Sequence, residues 1–278
     1  MRTRFAPSPT GYLHLGHAYS ASVAFELAEK MDGICLLRIE DIDQPRSKAE
    51  YEQAIYDDLN WLGYTWPTPV LRQSDRFDAY KDALTQLTQQ GLAYPCSCNR
   101  SDIKKALSAT QEGEVLGPDG LVYPGTCRIN GANPDKAHAI RLDMEKALQK
   151  LPDPISYVET SSGQNVDMTT SHKALIGKIG DIVLARKDIG TSYHLSVVVD
   201  DAYQEIDVVV RGEDMADQTP IHRVLHYLLD LKAPVYHHHQ LIRDTNGKRL
   251  AKRDDARAIR KYREDGHAPE DIKTLYRF

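Results

Sequence analysis

The sequence predicts an α/β protein built on a doubly wound parallel sheet, and three observations predict it. Arg2 to Ala6 is a short, mostly apolar run. An amphipathic stretch from His14 to Met31 follows, and Ile34-Cys35-Leu36-Leu37-Arg38-Ile39 is then a nearly continuous apolar run. Such runs are buried on both faces in parallel sheets, where a helix must carry the chain back between strands.

The first strand, Arg2 to Ala6, stops at Pro7-Ser8-Pro9-Thr10-Gly11, a turn sequence that cannot continue a ladder. The first helix carries Ala18, Val23 and Leu27 on its apolar face and ends at Gly33. Cys35, inside the second strand, reads as packing. Glu40-Asp41-Ile42-Asp43 leaves the carboxyl edge of that strand. Helices are expected from Lys48 to Leu62 and from Ser74, as N-cap, to Gln90, with Gly91 as the stop.

Residues 93 to about 151 are rich in Gly, Pro and polar residues and read as irregular. Beyond them, Asp181 to Arg186 and Ile206 to Arg211 read as further core strands, with Tyr193 to Asp201 helical or extended between them. Asp214 to Leu231 reads as a helix kinked at Pro220, and Val235 to Ile242 as the last strand. Asn246-Gly247 signals a turn, and the polar end of the chain reads as helix restarting at Pro269. This gives a Rossmann-like core at 1–92 and 180–243, an insert at 93–179 and a short helical C-terminal segment at 244–278.

Composition bounds the function. No apolar run approaches the roughly 20 residues of a membrane span, and Pro7 and Pro9 interrupt any secretory signal pattern. The four cysteines, two of them in Cys96-Ser97-Cys98, fit metal ligation in a reducing compartment better than a disulfide framework. A cytoplasmic, monomeric protein with no membrane partner is expected. Net charge is −5, which argues against a nonspecific nucleic-acid coat. Yet Arg243 to Arg263 carries nine Lys/Arg against three Asp, a local basic face.

The chemistry concentrates at the first strand–turn–helix unit. A helix N-terminus presents unpaired N–H groups and positive potential, a ready anion site. His14 and His17 flank Leu15-Gly16 there, at a spacing that places both imidazoles on one helix face, and Gly16 permits close backbone approach. Cys96, Cys98 and Cys127 offer three thiolates, and a closed structural zinc site needs a fourth ligand. His138 is a chemically ordinary choice for it. His237-His238-His239 point to alternating faces of a strand and are assigned no shared metal.

Arg4-Phe5-Ala6-Pro7-Ser8-Pro9-Thr10-Gly11 followed by His14-Leu15-Gly16-His17 resembles the signature of glutamyl-tRNA synthetases, within the first synthetase class. In the same way Arg249-Leu250-Ala251-Lys252-Arg253 resembles the class's KMSKS loop, with Arg249 in place of the first lysine and Ala251 in place of the serine. The resemblance implies an ATP site at His14, Gly16, His17, Arg249 and Lys252, with His14, His17 and Lys252 catalytic and magnesium accompanying ATP. It places glutamate against Arg4, Ser8, Glu40, Tyr193 and Arg211. That set is chemically coherent: guanidiniums suit carboxylates, Glu40 suits an ammonium, and the hydroxyls donate or accept. Asp214 is expected to help shape the pocket. The resemblance also implies a structural zinc on Cys96, Cys98, Tyr123 and Cys127.

The chain ends 25 residues after Arg253, where the family's longer members continue into anticodon-binding helices. No such domain is expected here. The resemblance is to a truncated branch that activates L-glutamate with ATP independently of tRNA. That branch transfers glutamate to the queuosine base at the wobble position of tRNA(Asp). Two alternatives stay open: ordinary glutamylation of a tRNA 3′ end, and an HxGH nucleotidyltransferase. A non-enzymatic paralogue that binds an amino acid or tRNA is the third rival.

Overall fold

The computed structural model describes residues 1–108, 114–242 and 257–276. In chain order the elements are β1 (Arg2–Phe5), α1 (Leu15–Lys30), β2 (Ile34–Ile39), α2 (Ala49–Trp61), β3 (Leu71–Arg72), α3 (Phe77–Gln89) and β4 (Ala93–Cys96). Next come α4 (Arg100–Ser108), β5 (Leu116–Gly117), β6 (Gly120–Leu121), α5 (Thr126–Asn130), β7 (Ala139–Leu142), α6 (Met144–Leu148), β8 (Ile155–Glu159) and β9 (Val166–Thr170). The remainder is α7 (His172–Ala174), β10 (Val183–Ala185), α8 (Tyr193–Tyr203), β11 (Val208–Gly212), α9 (Thr219–Leu228), β12 (Val235–His239), α10 (Ile259–Glu264) and α11 (Pro269–Thr274).

The parallel core has two parts set side by side. One is β1-β2-β3, with β1 and β2 in register from Arg2 opposite Ile34 to Phe5 opposite Leu37. The other is β11-β12-β8-β9, parallel except for the β8–β9 hairpin. Asp207 N–H donates to Arg2 C=O at 2.9 Å, which seats β11 beside β1. Helix α1 packs on β1, β2 and β11. Its small buried residues Ala18, Ala21, Ala24 and Ala28 let the helix backbone approach the sheet closely. Leu37, Ile39, Ile55 and Leu59 are buried with them. Each contributes roughly 1.5–3 kcal/mol relative to exposure. Ile259, Ile272 and Tyr276 bring the C-terminal helices onto the same core.

Several expectations change. Ser74 does not cap α3: residues 73–76 form a 3-10 turn, the helix begins at Phe77, and the Ser74 N–H goes to Asp41 Oδ1 at 2.8 Å. Pro220 does not kink a long helix. It occupies the first turn of α9, where its missing N–H removes no helical bond, and 213–218 is a separate 3-10 segment. The β-branched run after Tyr193 is helical, started by Ser192, whose side chain accepts from Leu195 N–H. The region from 93 to 151 is not irregular, since its described residues hold three helices and four short strands. The division drawn at residue 180 crosses two sheets. β10 pairs antiparallel with β7 rather than joining the parallel core, while β8, from the 93–179 segment, pairs parallel with β12. Asn246-Gly247 and the KMSKS-like residues Arg249 to Arg253 lie outside the described residues.

Candidate active site

The carboxyl ends of β1, β2, β11 and β12 open together onto one cavity of about 690 Å³, in the range of small-ligand sites. Arg4, Ser8, His14, Gly16, His17, Glu40, Tyr193 and Arg211 all line it. They come from four separate stretches of chain, so the fold alone brings them together. Asp214 and His239 line it as well.

The turn after β1 is fixed by backbone bonds. Glu40 N–H donates to Pro7 C=O and Lys48 N–H to Pro9 C=O, both at 3.0 Å, while Thr10 N–H closes onto Ser8 C=O at 2.8 Å. His14 is the N-cap of α1: its Nδ1 accepts from Gly16 N–H at 3.1 Å, and His17 Nδ1 accepts from His14 N–H at 3.2 Å. An imidazole nitrogen that accepts a backbone proton carries none itself. In each neutral ring the proton therefore sits on Nε2. The rings stand 3.9 Å apart, centre to centre.

The charged residues are held by partners distant in sequence that no local motif marks. Arg4 Nε and Nη2 donate to the two carboxylate oxygens of Asp201 at 3.0 and 3.3 Å, and Nη1 donates to Val210 C=O. Asp201 also accepts from Arg38 Nη1 at 2.7 Å, and Arg38 Nη2 reaches Glu40 at 3.0 Å. Burial pushes the Glu40 carboxyl above its ordinary value, although Arg38 and Arg4 pull against that. The signal for this network was present. Arg38 stands in an otherwise apolar strand, and a buried guanidinium requires carboxylate partners.

Arg211 is tied down on three sides. Its Nε donates to His238 Nε2 at 3.1 Å, Nη1 to His222 Nδ1 at 3.3 Å, and Nη2 to Thr219 Oγ1 at 2.6 Å. His238 in turn bonds Glu159 through Nδ1. Burial, with Arg211 close by, keeps His222 well below the usual histidine range. The three consecutive histidines have separate partners: His237 meets Thr160, His238 meets Glu159 and Arg211, and His239 meets Gln240 C=O. The place of His238 behind Arg211 is visible only in the fold. A Cβ at Gly212, next to Arg211, would meet Asp214 Oδ1 at 2.5 Å and so would displace that cavity-lining carboxylate.

A second cluster lies in the 93–179 segment. The sulfurs of Cys96, Cys98 and Cys127 lie within 4.8 Å of one another, with Cys98 and Cys127 at 3.4 Å. Ligands on a tetrahedral zinc with ~2.3 Å bonds are spaced about 3.8 Å apart, so the group fits such an ion. The Tyr123 hydroxyl stands 3.4 Å from both the Cys96 and Cys98 sulfurs. His138 turns elsewhere, with Nε2 2.7 Å from Asn133 C=O. Burial opposes ionisation of Cys127, but hydrogen bonds from Tyr123, Ser97 and Cys98 outweigh it and lower the thiol to about 6. No helix of the described residues is long and apolar enough to cross a membrane.

The family described as "tRNA synthetases class I (E and Q), catalytic domain" matches residues 1–278. The chain is similar to the Glutamyl-Q tRNA(Asp) synthetase of Rhodobacter capsulatus, with 52% identity over 99% of each chain. It is 36% identical to the glutamate–tRNA ligase of Hydrogenobaculum sp., matching over 98% of this chain but spanning only 56% of that relative. The fold is that of the crystal structure of the glutamate-tRNA synthetase from Elizabethkingia anophelis. There the TM-score is 0.79 at 24% identity, covering 99% of this chain and 61% of that one.

Proposed function

This chain belongs to the catalytic-domain family of the class I tRNA synthetases for glutamate and glutamine, and on that premise we propose that its cavity activates L-glutamate with ATP, without tRNA, and passes the glutamyl group to the queuosine base of tRNA(Asp). The observation that carries this reading is the meeting of two buried guanidiniums, Arg4 and Arg211, with Glu40 and the His14–His17 pair in one cavity.

An acidic amino acid suits that charge pattern. Arg4 and Arg211 complement its carboxylates, Glu40 its ammonium, and Ser8 and Tyr193 supply hydroxyls. ATP lies along the N-terminus of α1, where the Nε2–H groups of His14 and His17 donate to phosphate oxygens and the helix dipole adds to their effect. A glutamate carboxylate oxygen attacks the α-phosphorus, the bond to pyrophosphate breaks, and glutamyl-adenylate forms. The protein contributes alignment and stabilisation of the leaving pyrophosphate. Lys252 is proposed as the cation that acts on that group, with Arg249 also on the ATP side and magnesium accompanying ATP. The described chain from residue 257 lies against the site: Ile259 N–H donates to Leu13 C=O at 2.8 Å, directly before His14. A hydroxyl of the queuosine ring then attacks the activated carbonyl and AMP leaves.

Cys96, Cys98, Cys127 and Tyr123 are proposed to hold a structural zinc that staples the short strands of the insert. The protein is proposed to work as a cytoplasmic monomer.

The acceptor is tested by supplying labelled glutamate and ATP with tRNA from cells that make queuosine and from cells that do not. Label confined to the queuosine-containing pool supports the reading. Equal labelling of both pools refutes it and favours glutamylation of a tRNA 3′ end.

A further inference from the structure

Behind Arg211 runs a line of hydrogen bonds that leaves the cavity and ends in the insert. Arg211 Nη1 meets His222 Nδ1 at 3.3 Å, His222 Nε2 meets His194 Nδ1 at 3.0 Å, and His194 Nε2 meets Asp119 Oδ2 at 2.7 Å. Asp119 sits at the turn between β5 and β6, within the span bounded by Cys98 and Cys127.

The two ends of this line have fixed polarity. A guanidinium can only donate, and a carboxylate can only accept. His222 must therefore accept at Nδ1 and donate from Nε2, and His194 must do the same. Burial of His222 beside Arg211 favours the neutral ring that this requires. If Asp119 were replaced by water, which can donate or accept, the order would be set from one end only. The opposite order would then carry one mismatch, donor against donor at Arg211, instead of two, and to the extent it is populated it pushes the guanidinium out of place. A second line, Arg211 to His238 to Glu159, has the same polarity but stays within the core strands.

We propose that Asp119 is a positioning residue for amino-acid recognition: through His194 and His222 it fixes Arg211, so that the insert helps set affinity for the acidic substrate. This rests on the reading of the cavity as the glutamate site. Besides His238, His222 and Thr219, Arg211 bonds the Tyr193 side chain, and the direction of the guanidinium N–H groups toward the cavity is what the relay controls. Tyr193 shares the packing, its ring 5.4 Å from His194 and 5.7 Å from His222.

Asp119 is a half-exposed turn residue, with 44% of its side chain accessible, so its replacement leaves the core intact. The test compares wild type with Asp119→Ala and Asp119→Asn by glutamate-dependent ATP–pyrophosphate exchange, and by 15N spectra of the histidines in substrate-free protein. Asp119→Ala is expected to raise KM for glutamate about tenfold, with kcat and KM for ATP within about twofold, and Asp119→Asn to recover most of the loss through its amide oxygen. In wild type, His194 and His222 should both be protonated on Nε2, an order lost in Asp119→Ala. An unchanged glutamate KM, a parallel rise in both KM values, or His222 protonated on Nδ1 in wild type would overturn the proposal. Wild type lacking any glutamate-dependent exchange would sink the functional reading instead. The relay would still be judged by the spectra, which need no substrate.

Discussion

Arg38 and Asp201 meet at 2.7 Å in the middle of the molecule, with 0% and 6% of their side chains exposed. This pair is the anchor of the proposed substrate pocket, because the same carboxylate orients Arg4 and the same guanidinium reaches Glu40.

Replacing Asp201 by Asn leaves two buried guanidiniums short of a counter-charge. The expected loss is about 3–5 kcal/mol in urea unfolding, typical of breaking a buried pair. A change below about 1 kcal/mol would show that the pair contributes little.

The same pair gives an acid limb to stability. Burial opposes ionisation of Asp201, but Arg4 and Arg38 outweigh it and hold the carboxyl at about 2, below its ordinary 3.8. A depressed carboxylate contributes stability above its unfolded value and loses it as pH falls through the folded one. Wild type should therefore lose about 2 kcal/mol between roughly pH 4 and 2 from this group. Asp201→Asn should lack that part of the slope.

Asp58 behaves in the opposite sense. It is fully buried on α2, neither carboxylate oxygen accepts a hydrogen bond among the described residues, and Arg263 approaches only to 3.7 Å. Burial raises it to about 6 despite Arg263. A raised carboxyl costs stability as pH climbs from about 4 to 6, where the unfolded chain ionises and the folded one resists. Asp58→Asn should stabilise the protein by about 1–3 kcal/mol at pH 7.5 and by much less at pH 4. No gain at pH 7.5 would contradict the assignment.

The fold was legible where periodicity is long and the chain local. β1, α1 and β2 follow from an apolar run, a helical stripe and a second apolar run, and His14 at the head of α1 was readable from spacing. The insert was not, because strands such as Leu116–Gly117 and Gly120–Leu121 have two residues each and carry no period. Pairing of β10 with β7 was equally hidden, since an apolar triplet does not name its neighbour. Among site residues, Arg4 and His17 sit in motifs, whereas Asp201, His222 and His238 act through contacts with residues distant in sequence.

The metal proposal makes a direct prediction. Purified protein should contain about one zinc per chain by elemental analysis, and Cys98→Ser should lower that content while loosening the β5–β6 region in hydrogen exchange. Wild type with reduced cysteines and no zinc would contradict it.

Lys252→Ala should lower kcat for adenylate formation about 10²–10³-fold and leave glutamate affinity within a fewfold of wild type, as expected for a cation acting on the leaving pyrophosphate. Weakened glutamate binding with normal kcat would assign the lysine another role.

The central claim is that the cavity activates glutamate by itself. The most direct measurement is ATP–pyrophosphate exchange with purified protein and no tRNA, offering glutamate, glutamine and aspartate in parallel. Exchange is expected with glutamate, little with the other two, and none in an Arg4→Ala, Arg211→Ala double variant. Exchange without any amino acid, or with glutamine equal to glutamate, would contradict it.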